Sequence, residues 1–279
     1  MAGLRGEDSN GPRVLCLHGL LDNAASFLPL SIRLPGLDLV AVDLPGHGHS
    51  DHRHPSANYY FMENLRDVDA ALDELGWETC HLVGHSLGAG VAAVYAAAAP
   101  ERVRSLVMLD ALGPFSEPAN KCVNRVRKSL HSGRANARRQ RPYASIDEMI
   151  QARQANTGLP DEPARLICER SAKRVDEHYK WTNDPALYWV SPILMTEEQA
   201  LEYLAGITAP VLSLIATPFG SYISETRYHT RTAAIPNGRH ELLTGNHHFH
   251  MDQVEKTAGM ILPFILEQER NFEHHNDQE

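Results

Sequence analysis

A serine hydroxyl is a weak nucleophile until a base takes its proton, and the base works best when a carboxylate fixes its tautomer. The run Gly84-His85-Ser86-Leu87-Gly88 offers such a serine in the pattern G-x-S-x-G. Glycines on both sides suit a turn so tight that side chains there would strike the flanking strand and helix. Ser86 is therefore the candidate nucleophile. Near the other end, Asn246-His247-His248-Phe249-His250-Met251 supplies three histidines as candidate bases. A histidine cluster also raises metal binding, but no nearby cysteine or carboxylate gives it the ligand spacing of a known zinc pattern.

The flanks of Ser86 say what must hold it. Cys80-His81-Leu82-Val83 reads as a short buried parallel strand, and Leu87 to Ala99 is Ala- and Gly-rich, which suits a helix lying close on a sheet. Val14-Leu15-Cys16-Leu17 ends in His18-Gly19, and Leu39-Val40-Ala41-Val42 ends in Asp43-Leu44-Pro45-Gly46-His47-Gly48. Val103 to Leu109 and Pro210 to Ile215 are further strand candidates. Between the second of these strands in chain order and the turn at Ser86, Phe61, Leu65, Val68, Leu72 and Leu75 recur at helical steps up to Gly76, and at the other end Val254, Ala258, Ile261, Leu262 and Ile265 repeat the stripe. This alternation is the βαβ signature of a mainly parallel sheet flanked by helices.

In this order the segments LCLHG-LDNAASF, D-PGHG-S, GHSLG and GNHHFHM resemble the α/β-hydrolase family, and within it the serine-hydrolase-like proteins, over nearly the whole chain. The resemblance implies an α/β-hydrolase core over residues 12–112 and 206–268, a helical cap over 113–205 and a flexible tail over 269–279. Family members place an antiparallel strand pair before the strand ending in His-Gly. Here that N-terminal pair is expected to be missing, leaving about six strands, near the usual size of a sheet.

The family order of serine, acid, histidine makes His247 the base, with His248 and His250 left to packing or polar contacts. The acid is less direct. After the strand at 210–215, where many relatives carry it, this chain reads Ala216-Thr217-Pro218-Phe219-Gly220. The other family position, the end of the preceding strand, offers Asp110, with Glu225 as the alternative acid. A carboxylate that only caps the following turn is the blander role for Asp110. The backbone N–H groups of Leu20 and Leu87 would form the oxyanion hole, and Trp181, Tyr188 and Trp189 would line the substrate pocket unless they pack a cap-to-core seam. Thr196-Glu197-Glu198-Gln199 spells a capping box for the last cap helix, with Leu201 and Leu204 facing inward.

The implied function is hydrolysis of a small-molecule carboxylic ester through an acyl-Ser86 intermediate, with no cofactor and no metal. A thioesterase, a carbon–carbon bond hydrolase or a catalytically silent binding protein are the alternatives. A serine in place of aspartate argues against the epoxide- and halide-processing branch. The net charge of −9 argues against a nucleic-acid partner. No stretch approaches the ~18 apolar residues of a membrane span, so no membrane partner is expected either. Cysteines 16, 80, 122 and 168, scattered and partly in core strands, fit reduced thiols and a cytoplasmic location. Lys121, Arg125, Arg127, Lys128, Arg134, Arg138, Arg139 and Arg141 make the early cap basic, which reads as a solvated helical face.

Overall fold

The computed structural model describes residues 1–8, 10–136, 141–220 and 223–276. Arg138 and Arg139 of the basic run lie outside these residues. One sheet organises the chain, with strands β1 (Gly3–Arg5), β2 (Arg13–Leu17), β3 (Asp38–Val42), β4 (Cys80–His85), β5 (Val103–Leu109), β8 (Val211–Thr217) and β9 (Gly238–Thr244). Their order is β1-β3-β2-β4-β5-β8-β9, all parallel except β1, which runs antiparallel to β3. The expected six strands starting at residue 13 must therefore be corrected, since Gly3-Leu4-Arg5 pairs with Val42-Ala41-Val40. Three residues with one apolar side chain leave almost no periodic signal. The bidentate pair of Arg5 with Asp38, at 2.8 and 2.7 Å, helps hold that edge.

Neighbouring strand residues feed opposite faces of the sheet, and both faces are covered. Leu15, Leu17, Leu82, Leu106 and Met108 pack toward helices α2 (Glu63–Glu74) and α3 (Leu87–Ala98). Val14, Cys16, Val83, Val107 and Leu109 pack toward α1 (Leu28–Ser31), α9 (Phe249–Asp252) and α10 (Val254–Asn276). Burial on both sides is why these strands read as unbroken apolar runs. The helix α10 reaches Asn276, so the expected tail beginning at 269 is corrected: Glu269 is tied to Arg104 and to His81 (3.0 Å), and Arg104 also stacks on Phe272.

The segment between β5 and β8 carries α4 (Cys122–Asn136), α5 (Ile146–Thr157), α6 (Asp161–Arg170), the antiparallel pair β6 (Ala172–Val175) and β7 (His178–Trp181), and α7 (Glu197–Ala205). It is not purely helical as expected: Asp176, at φ +55°, turns a hairpin whose second strand is His178-Tyr179-Lys180-Trp181. The capping box at Thr196 and Gln199 forms, but Ala200 and Leu204 are buried while Leu201 is half-buried. Leu204 belongs to the main core cluster beside α3, so the last helix of the segment packs on the sheet unit. α8 (Glu225–Ala234) joins β8 to β9.

Candidate active site

The parallel strands end along one edge of the sheet, and the chemistry-bearing residues follow their last members. His85 pairs with Leu109 in register, so Ser86 and Asp110 leave adjacent strands side by side. Both take positive φ, +52° for Ser86 and +48° for Asp110, a conformation that costs a non-glycine residue about 1–3 kcal/mol. The ladder holds them there: Ser86 N–H donates to Leu109 O (3.0 Å) and Asp110 N–H to Leu214 O (2.8 Å). The two glycines of the turn have the steric role read from the sequence. A Cβ on Gly84 would lie 2.5 Å from Ala89 of α3, and one on Gly88 would run into the Leu17 carbonyl of β2.

Asp110 meets His247. His247 Nδ1 lies 2.5 Å from Asp110 Oδ2, while Asp110 Oδ1 accepts from Ala216 N–H at 2.8 Å. Both carboxylate oxygens are thus used, one on the imidazole and one on the backbone of β8. Glu225, the other acid considered, is exposed in the first turn of α8. The loop bearing His247 is ordered by Asn246, whose side chain accepts from His248 N–H (2.7 Å) and whose carbonyl accepts from Phe249 N–H (3.1 Å).

Ser86 and His247 line one cavity of about 600 Å³ together with Leu20, Leu21, Phe115, Tyr143, Trp181 and Tyr188. Two of the three expected aromatics are there. Trp189 is the correction: the short helix Pro185–Tyr188 ends at Tyr188, the chain becomes extended at Trp189, and that ring is 42% exposed. Tyr143 and Phe115, which lie in polar or Pro-rich sequence without periodicity, were not expected there. Leu87 is the first residue of α3, where a backbone N–H has no helical acceptor. Leu20 sits in the turn closed by Asp22 N–H to Gly19 O (3.1 Å), in which Leu21 has φ +63°.

A buried polar layer lies behind this site. His18 Nδ1 donates to Gly19 O (2.7 Å) and its Nε2 accepts from Leu44 N–H (3.0 Å), so the ring is a neutral clamp on the Gly19 turn, and burial keeps its pKa low. Burial likewise lowers His85, to about 4. His85 Nε2 donates to the His247 carbonyl at 2.8 Å. Burial opposes the charge on Asp22, yet His248 (3.2 Å from its Oδ2) and the Arg153 guanidinium hold it well below the usual carboxylate range. Asp43 is similar: burial pushes it up, but Arg170 (2.8 Å) and the N–H groups of Ala24 and His49 hold it below the ordinary value. Of the remaining histidines, His250 is fully buried against Phe27 and His85.

Asp22, His85 and His248 bring donor atoms within 4.8 Å of one another, and they are the described residues that could hold a metal ion. Arg153 already neutralises Asp22 and would repel a second cation. The sequence held only a weak signal for this layer, the polar Asp22-Asn23 pair inside LCLHG-LDNAASF. Its arginine partners come from α5 and α6, 131 and 127 residues away.

Comparison with known proteins identifies the family and the fold. A family model described as the alpha/beta hydrolase fold matches residues 12–178. The chain is 30% identical over 279 residues to a serine hydrolase-like protein of Danio rerio, covering 95% of this chain and 86% of that one. A serine hydrolase-like protein of Mus musculus is 29% identical over 276 residues, with 91% of this chain and 88% of that one covered. The crystal structure of a hypothetical protein from Pseudomonas aeruginosa PAO1 superposes with a TM-score of 0.86 at 32% identity, covering 95% of this chain and 94% of that chain.

Proposed function

Because the chain belongs to the α/β-hydrolase family, we propose that it is a serine hydrolase that cleaves small carboxylic esters through an acyl-Ser86 intermediate. The observation that carries this reading is the 2.5 Å contact of His247 Nδ1 with Asp110 Oδ2, in a ring that shares its cavity with Ser86. With Nδ1–H given to the carboxylate, Nε2 is left as the base. It takes the Ser86 proton as Oγ attacks the ester carbonyl, and the resulting oxyanion is met by the N–H groups of Leu20 and Leu87. Collapse expels the alcohol, which leaves with the proton from Nε2. Water then repeats the sequence on the acyl-serine, releasing the acid and restoring the hydroxyl.

The apolar and aromatic members of the cavity wall suit an uncharged acyl or alcohol group, on a wall that also carries Arg141 and Arg153, and thioester or carbon–carbon substrates would use the same groups. No metal or cofactor takes part in this scheme. The contact of His247 with Asp110 speaks against the catalytically silent reading, which two carboxylates out of reach of the histidine would have favoured. Free cysteines, with Cys16, Cys80 and Cys168 buried, fit a reducing compartment such as the cytoplasm.

The test is covalent labelling by a serine-directed fluorophosphonate, with mass mapping of the adduct. The wild type should carry one adduct on the Ser86 peptide and hydrolyse short-chain p-nitrophenyl esters. Ser86→Ala should do neither while melting like the wild type, since a side chain at the cavity floor loses only its hydroxyl. Retained turnover in folded Ser86→Ala, or an adduct elsewhere, would end the acyl-enzyme reading.

A further inference from the structure

Helix α4 is inverted relative to an ordinary surface helix, which turns its apolar stripe inward. Its half-buried positions are polar: Arg125 pairs with Glu117 (2.5 Å) and donates to Ser191 O (3.3 Å), and Ser132 Oγ accepts from Val190 N–H (3.1 Å). Val123, Val126 and Leu130, spaced by three and four residues and so stacked on one face, are instead 60%, 42% and 71% exposed. Arg127 stands on that face; Lys128, the next residue, is turned about 100° away from it, and Lys121 ends the short turn before the helix, both of them exposed. From Pro118 to Ile146 the sequence has no Asp or Glu, in a chain whose net charge is −9.

An apolar crown that carries Arg127, on a segment with exposed Lys121 and Lys128 at its flanks and no carboxylate, narrows the choice of occupant. A second copy meeting this face through a two-fold axis would set the same cations against each other. An anionic lipid surface matches both features at once, with acyl boundary for the apolar side chains and phosphates for the cations. We propose that the outward face of α4 docks on anionic lipid membranes, with Val123, Val126 and Leu130 entering the headgroup boundary and Lys121, Arg127 and Lys128 meeting lipid phosphates.

A peripheral contact of this kind needs no spanning segment, and among the described residues no helix is long and apolar enough to cross a membrane. It replaces the sequence expectation of no membrane partner, which rested on spans alone. The placement also bears on the large cavity. The stretch after β7 on which α4 rests carries Tyr188, one of its walls, and exposes Trp189 and Ile193. Docking would set the outside of that wall against lipid. The inference does not depend on the hydrolytic reading.

Cosedimentation of the full chain with vesicles tests it, using equal parts phosphatidylglycerol and phosphatidylcholine against phosphatidylcholine alone. The wild type should bind the anionic vesicles, not the neutral ones, and less tightly as salt rises. Replacing Lys121, Arg127 and Lys128 by Gln should weaken binding roughly 100-fold, at about five-fold per charge. Val123→Ser with Leu130→Ser should also weaken it by about ten-fold or more. All five positions are exposed, so melting temperature and turnover of a water-soluble ester should not change.

No binding to anionic vesicles, or binding indifferent to either set of changes, overturns the proposal. Loss with the charge variant alone overturns it too, since the apolar crown would then play no part. A concentration-dependent dimer in sedimentation velocity, dissolved by the apolar variant and without vesicle binding, assigns the face to a second copy.

Discussion

Asp110→Asn changes one atom at the site, and its effect is dictated by the hydrogen bonds around that atom. Asp110 Oδ1 accepts from Ala216 N–H and Oδ2 faces His247 Nδ1. If the asparagine oxygen keeps the Ala216 bond, its NH₂ faces His247, and the imidazole must accept at Nδ1 and carry its proton on Nε2. A protonated Nε2 cannot take the proton of Ser86. If the amide flips, its NH₂ meets the Ala216 N–H, donor against donor, and a buried backbone donor goes unpaired at about 1–3 kcal/mol. Neither orientation stabilises the imidazolium that forms during acylation. The expected loss in kcat is ~10⁴-fold, equivalent to about 5.5 kcal/mol of barrier. Initial rates with a saturating short-chain p-nitrophenyl ester give this directly, with circular dichroism melting as the check on folding. Glu225→Gln is the matched control and should cost nothing measurable. A loss in folded Asp110→Asn below about ten-fold, or about 1.4 kcal/mol, would refute the reasoning, as would a large loss in Glu225→Gln.

Two further perturbations probe charge. Glu197, held down to about 2 chiefly by the hydrogen bond from Arg231, has a folded pKa below its ordinary value of 4.5, so its stabilising effect is present above that value and is lost as pH falls toward about 2. Glu197→Gln should therefore lower stability at neutral pH by about 2 kcal/mol, typical of hydrogen bonds to charged groups, and match the wild type near pH 2; calorimetry showing a constant gap across that window would contradict this. Prolonged chelation should leave turnover and melting temperature unchanged, because Arg153 balances Asp22; activity lost on chelation and restored by zinc alone would show that the Asp22, His85 and His248 cluster is loaded.

The parts legible in the sequence were those whose physics is local. A buried strand reads as an apolar run, a helix as a stripe, and the turn at Ser86 needs its two glycines within five residues. Asp110 was reachable because it ends a readable strand. What escaped depends on distance or on shortness. Strand β1 is three residues long, and the hairpin β6–β7 hides in charged sequence because exposed Lys173, Arg174 and His178 leave it no apolar run. Trp189 and Tyr188 are neighbours, so no composition rule could tell which faces the cavity; the end of a short helix decides it. The pairing of Asp22 with Arg153, and of Asp43 with Arg170, joins residues on different elements with no periodic relation at all.

Those last two pairs carry a consequence for the architecture. The floor beneath the Gly19 turn contains two buried carboxylates, Asp22 and Asp43, and the arginines that pair with them come from α5 and α6. In the proposed reaction, negative charge left unbalanced there would oppose the oxyanion assigned to that turn. The inserted segment thus supplies charge balance to the sheet unit as well as a wall of the large cavity. Deleting it would leave a core whose own field works against the proposed reaction. A chimera given a foreign cap to change specificity would keep its rate only if the donor segment brought cations to these same two carboxylates.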